Sequence, residues 1–208
     1  MRTPTSLIAA ALTALTFAAP LAAQVQVMNP PIDEDRRGSN VIMFGDNVMA
    51  FVAVTWSAPQ WKAEYDKPGV MDSFKGQNVR LGKNWWTQID TNIPLEIGGQ
   101  KLPVGSYFLG LHYTKDGEFH LMAFDTKMAM KNSLMPFMGD QWKGGTAIPL
   151  KLNKDKLDKT VEKMLIVIQA DDKGDTGSFR IHWGKHELAA DVKFMVAGAK
   201  NASADKDK

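Results

Sequence analysis

The stretch Ile97-Gly98-Gly99-Gln100-Lys101-Leu102-Pro103-Val104-Gly105-Ser106-Tyr107-Phe108-Leu109 decides the fold class. Strand-forming residues flank tight-turn residues. Gly98-Gly99 supplies the positive backbone angles that a short hairpin demands. Pro103 and Gly105 mark a second break before a run from Ser106 to Thr114. Successive strand side chains alternate, so Tyr107, Leu109, Leu111 and Tyr113 share one face, and Phe108, Gly110 and His112 the other. Asp116-Gly117 is a further hairpin signal, and Glu118 to Asp125 returns.

The same grammar extends outward. Val48 to Ser57 is rich in Val, Ala, Phe and Trp and ends at Pro59. Ile93 to Ile97 reads as the strand entering the Gly98-Gly99 turn. Thr126 to Gly145 reads as a loop-like insertion. Ala147 to Leu152, Val161 to Ala170, Gly177 to Trp183 and Leu188 to Val196 are further strands. Asp171 to Asp175 is a turn, and Gly184-Lys185 centres a final hairpin. Leu157, Val161 and Met164 have helical spacing, but Lys154 to Lys163 lacks a clear cap and reads as a loop or single turn. Many short strands with Gly and Pro at the joints predict an all-β antiparallel β-sandwich or flattened jelly-roll-like barrel.

The termini read differently. Arg2, the apolar Leu7 to Ala19, Pro20 and the small Leu21-Ala22-Ala23 follow the order of a secretory signal, so residues 1–23 are expected to be a signal peptide. The apolar run falls short of the about 20 residues a retained anchor needs. Residues 24–40 are a polar lead-in, 41–196 the single β-domain and 197–208 a disordered tail. A periplasmic or secreted location follows, with no membrane span after signal cleavage. The chain has no Cys, so thiol chemistry and disulfides are excluded. Its 25 Lys and Arg against 23 Asp and Glu are interspersed, which argues against nucleic acid as a partner.

Four pieces, in order, resemble one family. They are Trp56-Ser57-Ala58-Pro59, Trp85-Trp86-Thr87, the hairpin Ile97 to Tyr107, and Trp183-Gly184-Lys185. The hairpin is similar to "IGGKKLPAGTYSL" of the domain-of-unknown-function family numbered 2911, found largely in exported bacterial proteins. Ala58 and Trp86 stand where that family has Arg, and Gln88-Ile89-Asp90 where it has Gly-Ala-Asn. The resemblance implies an exported β-sandwich and carries no activity with it.

Candidate chemistry comes from four residue sets. Trp faces stack on sugar rings, which makes Trp61, Trp85, Trp86 and Trp142, with Asp90 beside them, candidates for ligand binding. In a strand, neighbouring Trp85 and Trp86 must point to opposite faces, one to the core. The cluster Met122, Met128, Met130, Met135 and Met138 offers soft thioethers but reads as packing. His112 and His120 flank one hairpin, His182 and His186 another. Imidazoles opposed across a hairpin can share a metal; a three-residue loop ending in Gly117 would set His112 opposite His120, and a two-residue loop would put them on different faces. Glu64, Asp66, Asp90, Glu96, Glu118 and Asp125 are the carboxylates that would pair in glycoside chemistry. No nucleophile, zinc or phosphate-loop motif is present, and no cofactor is expected. The leading expectation is a non-catalytic binding or envelope-associated module taking a small ligand, a glycan or an envelope protein. The alternatives are a glycan- or cell-wall-acting hydrolase using paired carboxylates and a periplasmic metal-binding protein.

Overall fold

The computed structural model describes residues 32–45, 48–153 and 157–196. The expected signal peptide, residues 24–31 of the lead-in, the C-terminal tail and Lys154 to Lys156 lie outside the described residues. A compact unit begins at Asp33.

Twelve strands form one antiparallel sheet that folds on itself without closing into a barrel. They are β1 (Arg36–Gly45), β2 (Val48–Ser57), β3 (Gln77–Arg80), β4 (Thr87–Thr91), β5 (Leu95–Ile97), β6 (Gln100–Leu102), β7 (Gly105–Tyr113), β8 (Phe119–Asp125), β9 (Thr146–Asn153), β10 (Val161–Ala170), β11 (Thr176–Gly184) and β12 (His186–Phe194). The path runs β1-β2-β4-β7-β8-β9-β12-β11-β10, with β3 beside β7 and the β5–β6 hairpin beside β12.

The deciding stretch forms the β5–β6 hairpin and the start of β7. Gly98 and Gly99 have φ of 55° and 78°, as a two-residue turn with two positive angles requires. Ile93 and Pro94, expected as strand, instead belong to a break between β4 and β5, where Thr91 Oγ1 donates to the Ile93 carbonyl at 2.6 Å. Three strands extend the expectation, and one of them, β4, lies between β2 and β7. Arg36 to Asn40, read as lead-in, pair along β2 as the first half of β1. Gln77 to Arg80, a polar segment, pairs with the end of β7.

The main core lies between the layers, and Tyr107, Leu109, Leu111 and Tyr113 all reach it from β7. Trp56 anchors the seam: it is 1% exposed, and its indole N–H donates to the Met164 carbonyl of β10 at 2.9 Å. The opposite face of β7 and β8 carries a second core of Phe108 and Phe124 with Trp86, just before β4, and Ala129, Leu134 and Trp142. Its cover is the stretch expected as a loop. That stretch contains the helix α1 (Thr126–Lys131), capped by the Asp125 carboxylate on the Met128 N–H, and a 3-10 turn at Gly139–Gln141. Met122 and Met128 pack against this second core. Gly110 leaves the space the Trp142 ring fills, since a Cβ there would overlap it.

The strand β9 turns the corner between the layers. Thr146 to Leu150 pair with β8, whereas Lys151 to Asn153 pair with β12. Beyond Ala189, β12 leaves β9 and pairs with β5 instead. The tip of the β5–β6 hairpin enters the fork, where the Gly98 N–H donates to the Asp191 carbonyl at 2.9 Å. A Cβ at Gly98 would lie 2.8 Å from the Pro149 carbonyl oxygen, so the fork admits only glycine there.

Candidate functional site

The fork between β9 and β12 opens outward into a groove of about 580 Å³. Gly98 lines one end. Glu118, just before β8, and His120 of β8 form one wall, and Ser178 and Arg180 of β11 the other, with Pro149, Lys151, Ala189 and Asp191 between them. The strand registers order these residues in two rows. Lys151, Ala189 and Arg180 lie abreast across β9, β12 and β11. Two residues further along β12, Asp191 lies abreast of Ser178.

A buried carboxylate closes the far end of the groove. Glu187 is 6% exposed and lies between its two register partners, Asn153 and His182. Asn153 Nδ2 donates to its Oε1 at 2.9 Å, and His182 Nε2 contacts its Oε2 at 2.9 Å. Burial pushes the Glu187 carboxyl up, but the hydrogen bonds from His182 and Asn153 outweigh it and hold it below the usual carboxylate range. The charge of Arg180 acts in the same direction. The carboxylate at this end of the groove is therefore held in place by its own two partners.

The sequence candidates fall in several places. His112 and His120 are register partners on β7 and β8, across a three-residue loop, with ring centroids 6.4 Å apart. His112 Nδ1 is 2.9 Å from Asn78 Oδ1, and His120 faces the groove. His182 and His186 are not opposed: His182 meets Glu187, and His186 meets Trp183 on the other face. The two-residue Gly184-Lys185 loop sets this offset. Among the described residues no three His, Asp or Glu side chains converge as a metal site.

No Trp lines the groove. Trp86 and Trp142 are buried against each other, centroids 5.1 Å apart, in the second core. Trp85 is 51% exposed, so the adjacent pair does split between solvent and core. Trp61 belongs to a half-buried cluster with Tyr65, Trp183 and His186, and its ring covers Gly184. Asp90 accepts hydrogen bonds from Ser106 and Gln88. Of the six carboxylates considered for glycoside chemistry, only Glu118 lines the groove. Glu64 and Glu96 pair with lysines, Asp66 accepts the Trp61 indole N–H, and Asp125 caps α1.

Sequence reasoning missed Lys151, Arg180, Glu187 and Asp191. Their one signal was alternation: Ser178, Arg180 and His182 share one face of β11, and Glu187, Ala189 and Asp191 the facing positions of β12. Which strands are neighbours is not written in that alternation.

A second polar cluster has a structural role. The ammonium groups of Lys163 and Lys83 hold the Asp35 carboxyl down at about 2. Hydrogen bonds from Ser57, then Asn84, likewise lower Asp33. Two of the resembling pieces meet near here, where the Trp183 indole donates to the Pro59 carbonyl at 3.1 Å. The Trp85-Trp86-Thr87 piece joins the same end of the sheet, with Thr87 Oγ1 donating to the Leu81 carbonyl at 2.5 Å. Only the hairpin piece reaches the groove, through Gly98.

Fold and site together define an antiparallel β-sandwich with a groove at its corner strand that carries charges of both signs. The chain belongs to the family described as "Protein of unknown function (DUF2911)", whose model matches residues 48–192. No curated protein and no solved structure matches the chain.

Proposed function

We propose that the protein is a non-catalytic, extracytoplasmic binding module and that the groove at the β9–β12 fork is its ligand site. The observation that carries this reading is the preformed, charged groove, built over a buried Glu187 held by Asn153 and His182. Its lining sets charged side chains among apolar ones and holds no Trp, so recognition rests on charge and hydrogen bonding rather than on indole stacking against a sugar face. Binding also fits the scatter of the other carboxylates, each engaged in its own local bond. The extracytoplasmic setting rests on the signal-like order of residues 1–23.

The test compares the purified protein with Ala189→Trp on a glycan array and in a small-molecule thermal-shift screen. Ala189 floors the groove, and an indole there fills it. The expected result is a ligand that binds the unaltered protein, is returned chemically unchanged, and is lost from the variant. Ligands retained by Ala189→Trp would place binding elsewhere. Turnover of the bound ligand would make the protein an enzyme.

A further inference from the structure

We infer that the groove is a receptor for a zwitterion: a ligand carrying a carboxylate and an ammonium about one dipeptide apart. The inference rests on the groove being the binding site and adds the chemistry of what it takes.

Besides the buried Glu187, four charged side chains of both signs line this one concavity: Lys151, Arg180, Asp191 and Glu118. Among the described residues none of the four makes an ion pair, although lysines elsewhere on the surface pair with Asp35, Glu64, Asp72 and Glu96. The strand registers hold them apart. Lys151 and Arg180 are separated in the strand register by Ala189, whose side chain is a single methyl group on the groove lining. Neighbouring strands are about 4.8 Å apart, so the two cations rise from backbone positions roughly 10 Å apart on either side of Ala189, a span their long side chains can bridge through one bound group. A carboxylate placed there receives hydrogen bonds from both sides, and Arg180 offers a fork of donors to it.

The second row carries the opposite sign. Asp191 follows Ala189 by two residues on the same face of β12, a rise of roughly 7 Å. Ser178 lies abreast of it on β11 and adds a hydroxyl acceptor. An ammonium held between Asp191 and Ser178 therefore sits roughly 7 Å from a carboxylate held between Lys151 and Arg180. Two residues of extended peptide span the same roughly 7 Å. Glu118, beside Lys151 on the β8 wall, and Glu187, already engaged by Asn153 and His182, keep the groove from being a plain anion site. A simple anion would meet Asp191 and Glu118 unscreened, and a simple cation would meet Lys151 and Arg180. A zwitterion satisfies both rows at once.

The test is calorimetric titration of the purified protein with three probes: alanyl-alanine, N-acetyl-alanyl-alanine and alanyl-alanine amide. The free dipeptide should bind, and each blocked form should bind about tenfold or more weakly, since each loses one charged contact. Arg180→Ala should erase the preference over the amide, and Asp191→Asn the preference over the acetylated form. Both replacements are at exposed positions, so thermal unfolding should stay unchanged and verify the fold. Equal binding of all three probes, or binding of none, would overturn the zwitterion. The two readings then separate: equal binding lost in Ala189→Trp leaves the groove as the site and removes only the ligand class. If no probe binds, the zwitterion falls, and the glycan array and thermal-shift screen decide the groove independently.

Discussion

Two tryptophans show how much rests on a single polar atom. Trp56 and Trp86 are each 1% exposed and each packs in a core. The Trp56 indole N–H reaches the Met164 carbonyl at 2.9 Å, while that of Trp86 has no partner among the described residues. A buried donor without an acceptor carries a desolvation penalty of about 1–3 kcal/mol. Replacement by Phe removes similar volume at both sites, but it also removes that penalty at Trp86 and creates an orphaned carbonyl at Met164. Trp56→Phe should therefore cost about 1–3 kcal/mol more than Trp86→Phe in urea denaturation. Equal losses would mean that the Trp86 N–H is satisfied in solution. The same sensitivity to single atoms explains Gly98, where the turn angle and the Pro149 carbonyl both exclude a side chain.

At the scale of elements, the readable strands were those whose own residues declare a face. β7 is the clearest case: one set of alternate residues enters the main core, and Phe108, on the other face, enters the second. Residues 36–40 of β1 were not readable, because Arg-Arg-Gly-Ser-Asn has no apolar alternation and its pairing is imposed by β2. β3 was hidden for the same reason, and α1 because six residues are too few for a periodicity to register. The groove was illegible because its rows exist only once β9, β12 and β11 are neighbours, a matter of sheet order rather than of local pattern. β1 also shows how a polar strand does structural work. Ser39 Oγ accepts from the Ile168 N–H at 3.1 Å and donates to the Ile168 carbonyl at 3.4 Å, joining the two ends of the sheet where no ladder forms. Ser39→Ala should cost about 1–2 kcal/mol by losing both bonds. Hydrogen exchange at the Ile168 amide should accelerate with it, and unchanged protection there would show that β1 and β10 are held by apolar contact alone.

For the whole molecule, the question is where the folding unit starts. The sequence places the domain boundary at Val41, and the family match begins at Val48, yet the compact unit begins at Asp33. The physical reason is the Asp35 carboxylate, which joins Lys83, on the connection between β3 and β4, to Lys163 of β10. Beside it the Ala58 N–H donates to the Asp35 carbonyl at 3.0 Å, fixing the end of β2. A chain beginning at Val41 loses this hub, loses Ser39, and leaves Ala53 to Ser57 of β2 without their β1 partners. That exposes a strand edge directly beside Trp56, and unpaired edges invite association. A chain running from Asp33 to Lys208 should therefore unfold at the same denaturant midpoint as the full chain. One running from Val41 to Lys208 should unfold at a clearly lower midpoint and self-associate in sedimentation. Equal midpoints for the two would show that β2 and β10 hold the sandwich without the first half of β1, and that the folding unit begins no earlier than Val41.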